Sequence, residues 1–116
     1  MATTPFELAR IAANAADSKK ATDIILLDLE GMSDVCDYFL ICTADNARML
    51  AAIVEEIEEK VKRNTGQGPL SHEGRAGASW ILLDYGSVVV HAFLPEARDH
   101  YRLEHLWGDA PRVRID

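Results

Sequence analysis

Hydrophobic and polar residues alternate along this chain in two different rhythms. In two stretches the apolar positions recur at helical spacing. In "TTPFELARIAANAADSKKA" they are Leu8, Ile11, Ala12 and Ala15, a narrow alanine-rich stripe; in "ARMLAAIVEEIEEKVKRNTG" they are Leu50, Ile53, Val54, Ile57 and Val61. Thr4 suits an N-cap, Pro5 the first helical position, and Glu7 completes a capping box with Thr4. Asp45 or Asn46 caps the second helix and Gly66 stops it. Its wet side carries Glu56–Lys60, Glu58–Lys62 and Glu59–Arg63 at i,i+4, in the favourable order.

Elsewhere the apolar residues run together, as strands buried on both faces do. "TDIILLDL" (Thr22 to Leu29) and "YFLICT" (Tyr38 to Thr43) are two such runs, separated by the loop "EGMSDVCD". "WILLDYGSVVVHAF" (Trp80 to Phe93) reads as a hairpin with Tyr85-Gly86 as its two-residue turn. Strand parity puts Trp80, Leu82 and Asp84 on one face and Ile81, Leu83 and Tyr85 on the other; Val88 and Val90 face away from Val89, His91 and Phe93. Both faces are apolar, so both must be covered. Gly66 to Ser79 reads as a mobile connection. Pro95 opens a short helix over "PEARDHYRLEHLW", and Val113 to Ile115 makes a brief edge strand. The order α-β-β-α-β-β-α-(β) predicts an α+β fold, a mixed β-sheet flanked by helices.

The 116 residues correspond to one domain, with the 48% hydrophobic and 27% charged content of an ordinary globular chain. The net charge of −7 repels phosphate backbones, so direct nucleic-acid binding is disfavoured and a basic protein partner is favoured. Cys36 and Cys42 read as small buried fillers, which fits a reducing cytoplasm. "MATTPFELAR" has no apolar signal core, and no apolar run approaches the roughly 20 residues that span a bilayer.

The candidate chemistry is thin. Asp34 and Asp37 flank Cys36, but i,i+3 residues on a strand point to opposite faces, whereas a two-carboxylate metal site needs i,i+2. His72, His91, His100 and His105 lack metal-ligand spacing. Neither cysteine sits where a His–Asp relay would activate it. His91, mid-strand, reads as a partly buried histidine donating to a backbone or carboxylate partner. "GQGPLSHEGRAG" lacks the lysine and the following helix of a phosphate loop. No cofactor or metal is expected. What remains is surface: Trp80, Tyr85, Phe93, Tyr101 and Trp107 gather in the C-terminal third, and Trp and Tyr are favoured at interface hot spots.

Three blocks carry a resemblance. Glu73-Gly74, the hairpin "WILLDYGSVVVHAF", and Arg98, Tyr101, Leu103, Glu104, Leu106, Trp107, Asp109, Ala110 and Pro111, with "SDVCDYFLICT" upstream, closely resemble the ribosomal silencing factor family (RsfS, also called Iojap). The likeness runs from about Leu8 to Val113. It implies a nucleotidyltransferase-like fold without the catalytic carboxylates. It further implies a non-enzymatic factor that binds the large ribosomal subunit at a basic protein, the fourteenth, on the subunit-joining face. The factor would block the small subunit sterically when nutrients fall, and would be a homodimer when free. On that reading the partner-facing residues are Trp80, Asp84, Tyr85, Tyr101, Glu104 and Trp107, with Glu73 and Asp109 meeting partner Lys and Arg. The chain departs from the family pattern at Thr43-Ala44-Asp45-Asn46 (often Thr-Gly-x-Ser), Met49 (often Gln) and Ser87 (usually Asp). Two other readings stand beside it: a minimal Mg²⁺-dependent nucleotidyltransferase using Asp34 and Asp37, and a generic dimeric adaptor.

Overall fold

The computed structural model describes residues 3–31, 36–74, 78–101 and 112–113, and of His100 and Tyr101 the backbone only. Helix α1 spans Pro5–Ser18 and α2 spans Ala47–Thr65. Strands β1 (Thr22–Asp28) and β2 (Tyr38–Thr43) precede α2; β3 (Ser71–Glu73), β4 (Trp80–Asp84) and β5 (Val88–Phe93) follow it. Helix α3 (Pro95–Tyr101) and strand β6 (Arg112–Val113) come last.

The helix signals in the sequence act where expected. Thr4 Oγ1 accepts from the Glu7 N–H at 3.1 Å, and Asn46, not Asp45, is the second cap, its Oδ1 accepting from the Met49 N–H at 2.8 Å. Gly66 takes φ +79° and closes α2 through the Lys62 carbonyl. Two of the three i,i+4 pairs form, Glu59–Arg63 at 2.7 Å and Glu56–Lys60 at 3.9 Å. The third does not: Glu58 turns to His72 Nδ1 at 3.0 Å, and Lys62 donates to the Gly66 carbonyl.

The strands form one mixed sheet in the order β3-β4-β5-β2-β1-β6. Among the described strands only β2–β5 is parallel, with α2 inside the long connection between them; the other pairs are antiparallel. Strand β3 lies within the segment expected to be an irregular connection. Three exposed residues carry no periodic signal, and pairing with β4 is what orders them. The hairpin turn also falls one residue later than the sequence suggests. Asp84 pairs with Val89 and Tyr85 N–H bonds the Val88 carbonyl at 2.9 Å, leaving Gly86-Ser87 as the turn. Gly86 holds φ +88°, the conformation a tight hairpin asks of its first central residue.

Helices α1 and α2 cover one face. Ala9, Ala12, Ala13 and Ala16 are fully buried, so α1 packs closely on the sheet and on α2, while Leu50, Ile53, Ile57 and Val61 supply the bulk. Each such aliphatic side chain contributes about 1.5–3 kcal/mol through burial. Ile81, Leu83, Tyr85, Val88 and Val90 belong to this cluster. On the other face Leu27, Ile41, Val89 and Phe93 pack with Ala97 of α3, and half-buried Ile25, Phe39, Trp80 and Leu82 adjoin them. The parity read from the sequence holds on both strands.

Gly74, just after β3, has φ +107°, and a Cβ there would lie 2.7 Å from the Trp80 carbonyl oxygen. Both faults are backbone faults that a rotamer cannot relieve. Gly74→Ala is therefore expected to cost about 1–3 kcal/mol, read as a lower melting temperature with the largest amide-shift changes at Trp80 and Ile81.

Candidate functional site

Strand β4 presents Trp80, Leu82 and Asp84 on the face away from α1 and α2, and all three are only half-buried. At about 3.4 Å per residue the strip runs roughly 14 Å along the strand from Trp80 to Asp84. Glu73 lies directly opposite Leu82 in the β3–β4 ladder, so it shares that face at the sheet edge and is exposed. Phe39 of β2 joins the same surface, its ring 4.7 Å from that of His91.

The Trp80 end is aromatic. Its indole stacks on Phe93 at 5.3 Å and on His91 at 5.7 Å between centroids, and Nε1 donates to His91 Nδ1 at 3.2 Å. His91 thus accepts from a side chain instead of donating to a backbone or carboxylate group. Burial holds its pKa down at about 4, and its cross-strand neighbours Leu82 and Ile41 carry no charge. The unfolded chain then binds a proton at this ring that the folded chain refuses. His91 therefore contributes stability in full above pH 6.5 and loses it as pH falls toward 4. The slope is at most about 1.4 kcal/mol per pH unit. Wild type is expected to lose more melting temperature than His91→Phe between pH 6.5 and 4.5.

The Asp84 end is acidic. Asp28 pairs with Tyr38, Tyr38 with Val88, and Val89 with Asp84, so Asp28 and Asp84 lie at the same end of the sheet as Asp37, though on opposite faces of it. Tyr38 donates to Glu30 Oε1 at 2.9 Å. Burial, that bond, and the charges of Asp28, Glu30 and Asp37 push its phenol up to about 12. Asp84 itself accepts from the Gly86 N–H at 2.7 Å and so also fixes the turn.

Of the residues expected to face a partner, Glu73, Trp80 and Asp84 come together on one face. Tyr85 does not join them: it is buried on the opposite face, beneath the helices. Tyr101 ends α3 and its side chain lies outside the described residues, as do Glu104, Trp107 and Asp109 altogether. Phe39 and Leu82 belong to the surface without having been singled out by sequence reasoning. Parity puts Leu82 with Trp80, whereas Phe39 requires the register of β2 against β5.

Nucleophilic and metal chemistry gain no support here. Burial raises Cys36 to about 11, helped by Asp37 and Asp84, and raises Cys42 to about 12, so both are protonated at neutral pH. Asp34 lies outside the described residues; among those described, no three His, Cys, Asp or Glu side chains converge as metal ligands. Among them too, no helix is long and apolar enough to cross a membrane.

Known proteins share this architecture and much of its sequence. The family model for the ribosomal silencing factor during starvation matches residues 2–116. A ribosomal silencing factor RsfS of Bacillus subtilis is 47% identical over 107 residues, covering 92% of this chain and 90% of its own. A crystal structure of a Chromobacterium violaceum protein superposes with a TM-score of 0.86 at 33% identity, covering 91% of this chain and 88% of that one. A Mus musculus protein named mitochondrial assembly of ribosomal large subunit protein 1 is 32% identical over 91 residues, covering 77% of this chain and 40% of its own.

Proposed function

Because this chain belongs to the ribosomal silencing factor family, we propose that it is a non-enzymatic factor that occupies the large ribosomal subunit and thereby keeps the small subunit from joining. The partner is a basic protein on the subunit-joining face, the fourteenth of the large subunit, and the block operates when nutrients fall. The observation that carries this reading is the β4 strip, an aromatic and aliphatic ridge ending in a carboxylate rim. Apolar contacts at Trp80, Leu82 and Phe39 supply affinity, while Glu73 and Asp84 meet partner Lys and Arg and steer the encounter. Tyr101, Glu104, Trp107 and Asp109 are the further residues assigned to partner contact on this reading. Two further points support it: the net charge of −7 suits a basic partner, and one relative's name refers to the ribosomal large subunit. The site of action is the cytoplasm.

Adding the protein to dissociated subunits and raising Mg²⁺ should lower the joined-ribosome peak on a sucrose gradient and bring the protein down with large subunits. An unchanged joined peak, with the protein left at the top of the gradient, refutes the reading. The free chain pairs with itself through a surface that overlaps this strip. A crosslinked dimer that still bound large subunits at full affinity would contradict the overlap.

A further inference from the structure

A histidine buried mid-sheet is an odd choice for a slot that an apolar ring could fill. Trp80 lies opposite Phe93 and His91 lies opposite Leu82, so Trp80 and His91 are diagonal neighbours across β4 and β5. Diagonal pairs come within reach only through large side chains. Here the reach is used: the ring planes are inclined by 29° and the indole Nε1 lies 3.2 Å from His91 Nδ1. The imidazole is itself wedged, edge-on against Phe39 at 4.7 Å and parallel to Phe93 at 6.2 Å.

The direction of that bond fixes the tautomer. An indole nitrogen can only donate, so Nδ1 must carry a lone pair, and the ring's single proton sits on Nε2. His91 Nε2 is buried and meets no hydrogen-bond partner among the described residues. A buried donor without an acceptor is unfavourable, and a phenyl ring would avoid it. What histidine supplies at this position, and phenylalanine cannot, is an acceptor for the Trp80 indole.

We propose that His91 is the positioning residue of the partner-binding surface, holding the half-buried Trp80 indole in the one orientation that the large subunit receives. Without the Nδ1 acceptor the indole N–H loses this bond, and the ring is held less firmly in this orientation. A partner would then have to order the ring as it docks, which weakens binding without removing a contact. The proposal rests on the β4 strip being the ribosome-facing surface, and its test separates the two.

The test compares wild type, His91→Phe and His91→Asn by three measurements. These are melting temperature, hydrogen exchange of the Trp80 indole Nε1–H by NMR (assigned with Trp107→Phe), and co-sedimentation with purified large ribosomal subunits. Asparagine carries Oδ1 where histidine carries Nδ1, so it keeps an acceptor but fills less space. The phenyl variant should melt close to wild type, lose indole protection, and bind about ten-fold more weakly, as a hot-spot side chain does when its pre-organisation is lost. The asparagine variant should melt lower than the phenyl variant yet retain slow indole exchange and bind more tightly than it. That crossing of stability against affinity is what a merely structural histidine could not produce. Affinities that follow the order of melting temperatures, or a phenyl variant that binds like wild type, overturn the proposal. If wild type itself fails to co-sediment, the ribosome reading falls. The exchange comparison then decides the hold by itself, and equal indole exchange in wild type and His91→Phe refutes it.

Discussion

Trp80→Ala is expected to weaken large-subunit binding about a hundred-fold, which corresponds to roughly 2.7 kcal/mol, within the range for a buried aromatic anchor. The indole is half-buried in the free chain, so part of its surface is left for a partner to cover. It is also held by stacking on Phe93 and by the bond to His91, so little ordering is left to pay for on docking. The substitution removes intramolecular packing as well, and some loss of stability accompanies it. Trp80→Phe separates the two effects. It keeps a ring against Phe93 but lacks the N–H, and should bind between the alanine variant and wild type while melting near wild type. Asp84→Ala behaves differently. It removes a carboxylate and the acceptor for the Gly86 N–H, so binding should weaken modestly and with a smaller salt dependence than wild type. Trp80→Ala binding at wild-type affinity, measured below its melting temperature, would move the partner surface off β4.

Much of this surface is legible in the amino-acid pattern alone. Strand parity in "WILLDYGSVVVHAF" separates Trp80, Leu82, Val89, His91 and Phe93 from Ile81, Leu83, Val88 and Val90, and the sheet keeps that division. The same parity sets Tyr85 with Ile81 and Leu83, so its burial under the helices follows from the alternation, against the expectation that Tyr85 faces a partner. The caps at Thr4 and Asn46 and the stop at Gly66 are readable because capping is local chemistry. Register is not readable in this way. That Glu73 lies beside Leu82, that Phe39 reaches His91, and that Asp28 and Asp84 share one end of the sheet all depend on how separate segments align. Strand β3 has no core-facing alternation of its own, so it exists only through β4. The bond from Trp80 to His91 is the sharpest case. Residue spacing could demote His91 from catalyst, but only the diagonal across β4 and β5 identifies the atom it serves.

The largest expected loss of stability from a polar residue comes at the Trp80 end of that face, where Thr43 pairs with Phe93 and Phe93 with Trp80. Arg98 of α3 is buried, and its Nη1 donates at 2.6 Å both to the Asp23 carbonyl and to Thr43 Oγ1. Asp23 sits at φ +48° in a break of the β1–β2 register, so its carbonyl is turned out of the ladder and needs a donor. One guanidinium therefore ties α3 to the edge of a bulged strand and to the end of β2. Hydrogen bonds to a charged donor are worth about 1.5–3 kcal/mol each, and removing the donor strands a buried hydroxyl. Arg98→Ala should thus lower stability by about 3 kcal/mol, measured as a shift of the urea midpoint with an unchanged slope. Lysine ends one bond shorter and carries a single ammonium, so Arg98→Lys should recover less than half of the loss. Because α3 packs beside Phe93, on which Trp80 stacks, the alanine variant should also exchange its indole proton faster than wild type. A midpoint equal to wild type in Arg98→Ala would mean that the two short bonds carry no net stability. Thr43 and Asp23 would then be served as well by water.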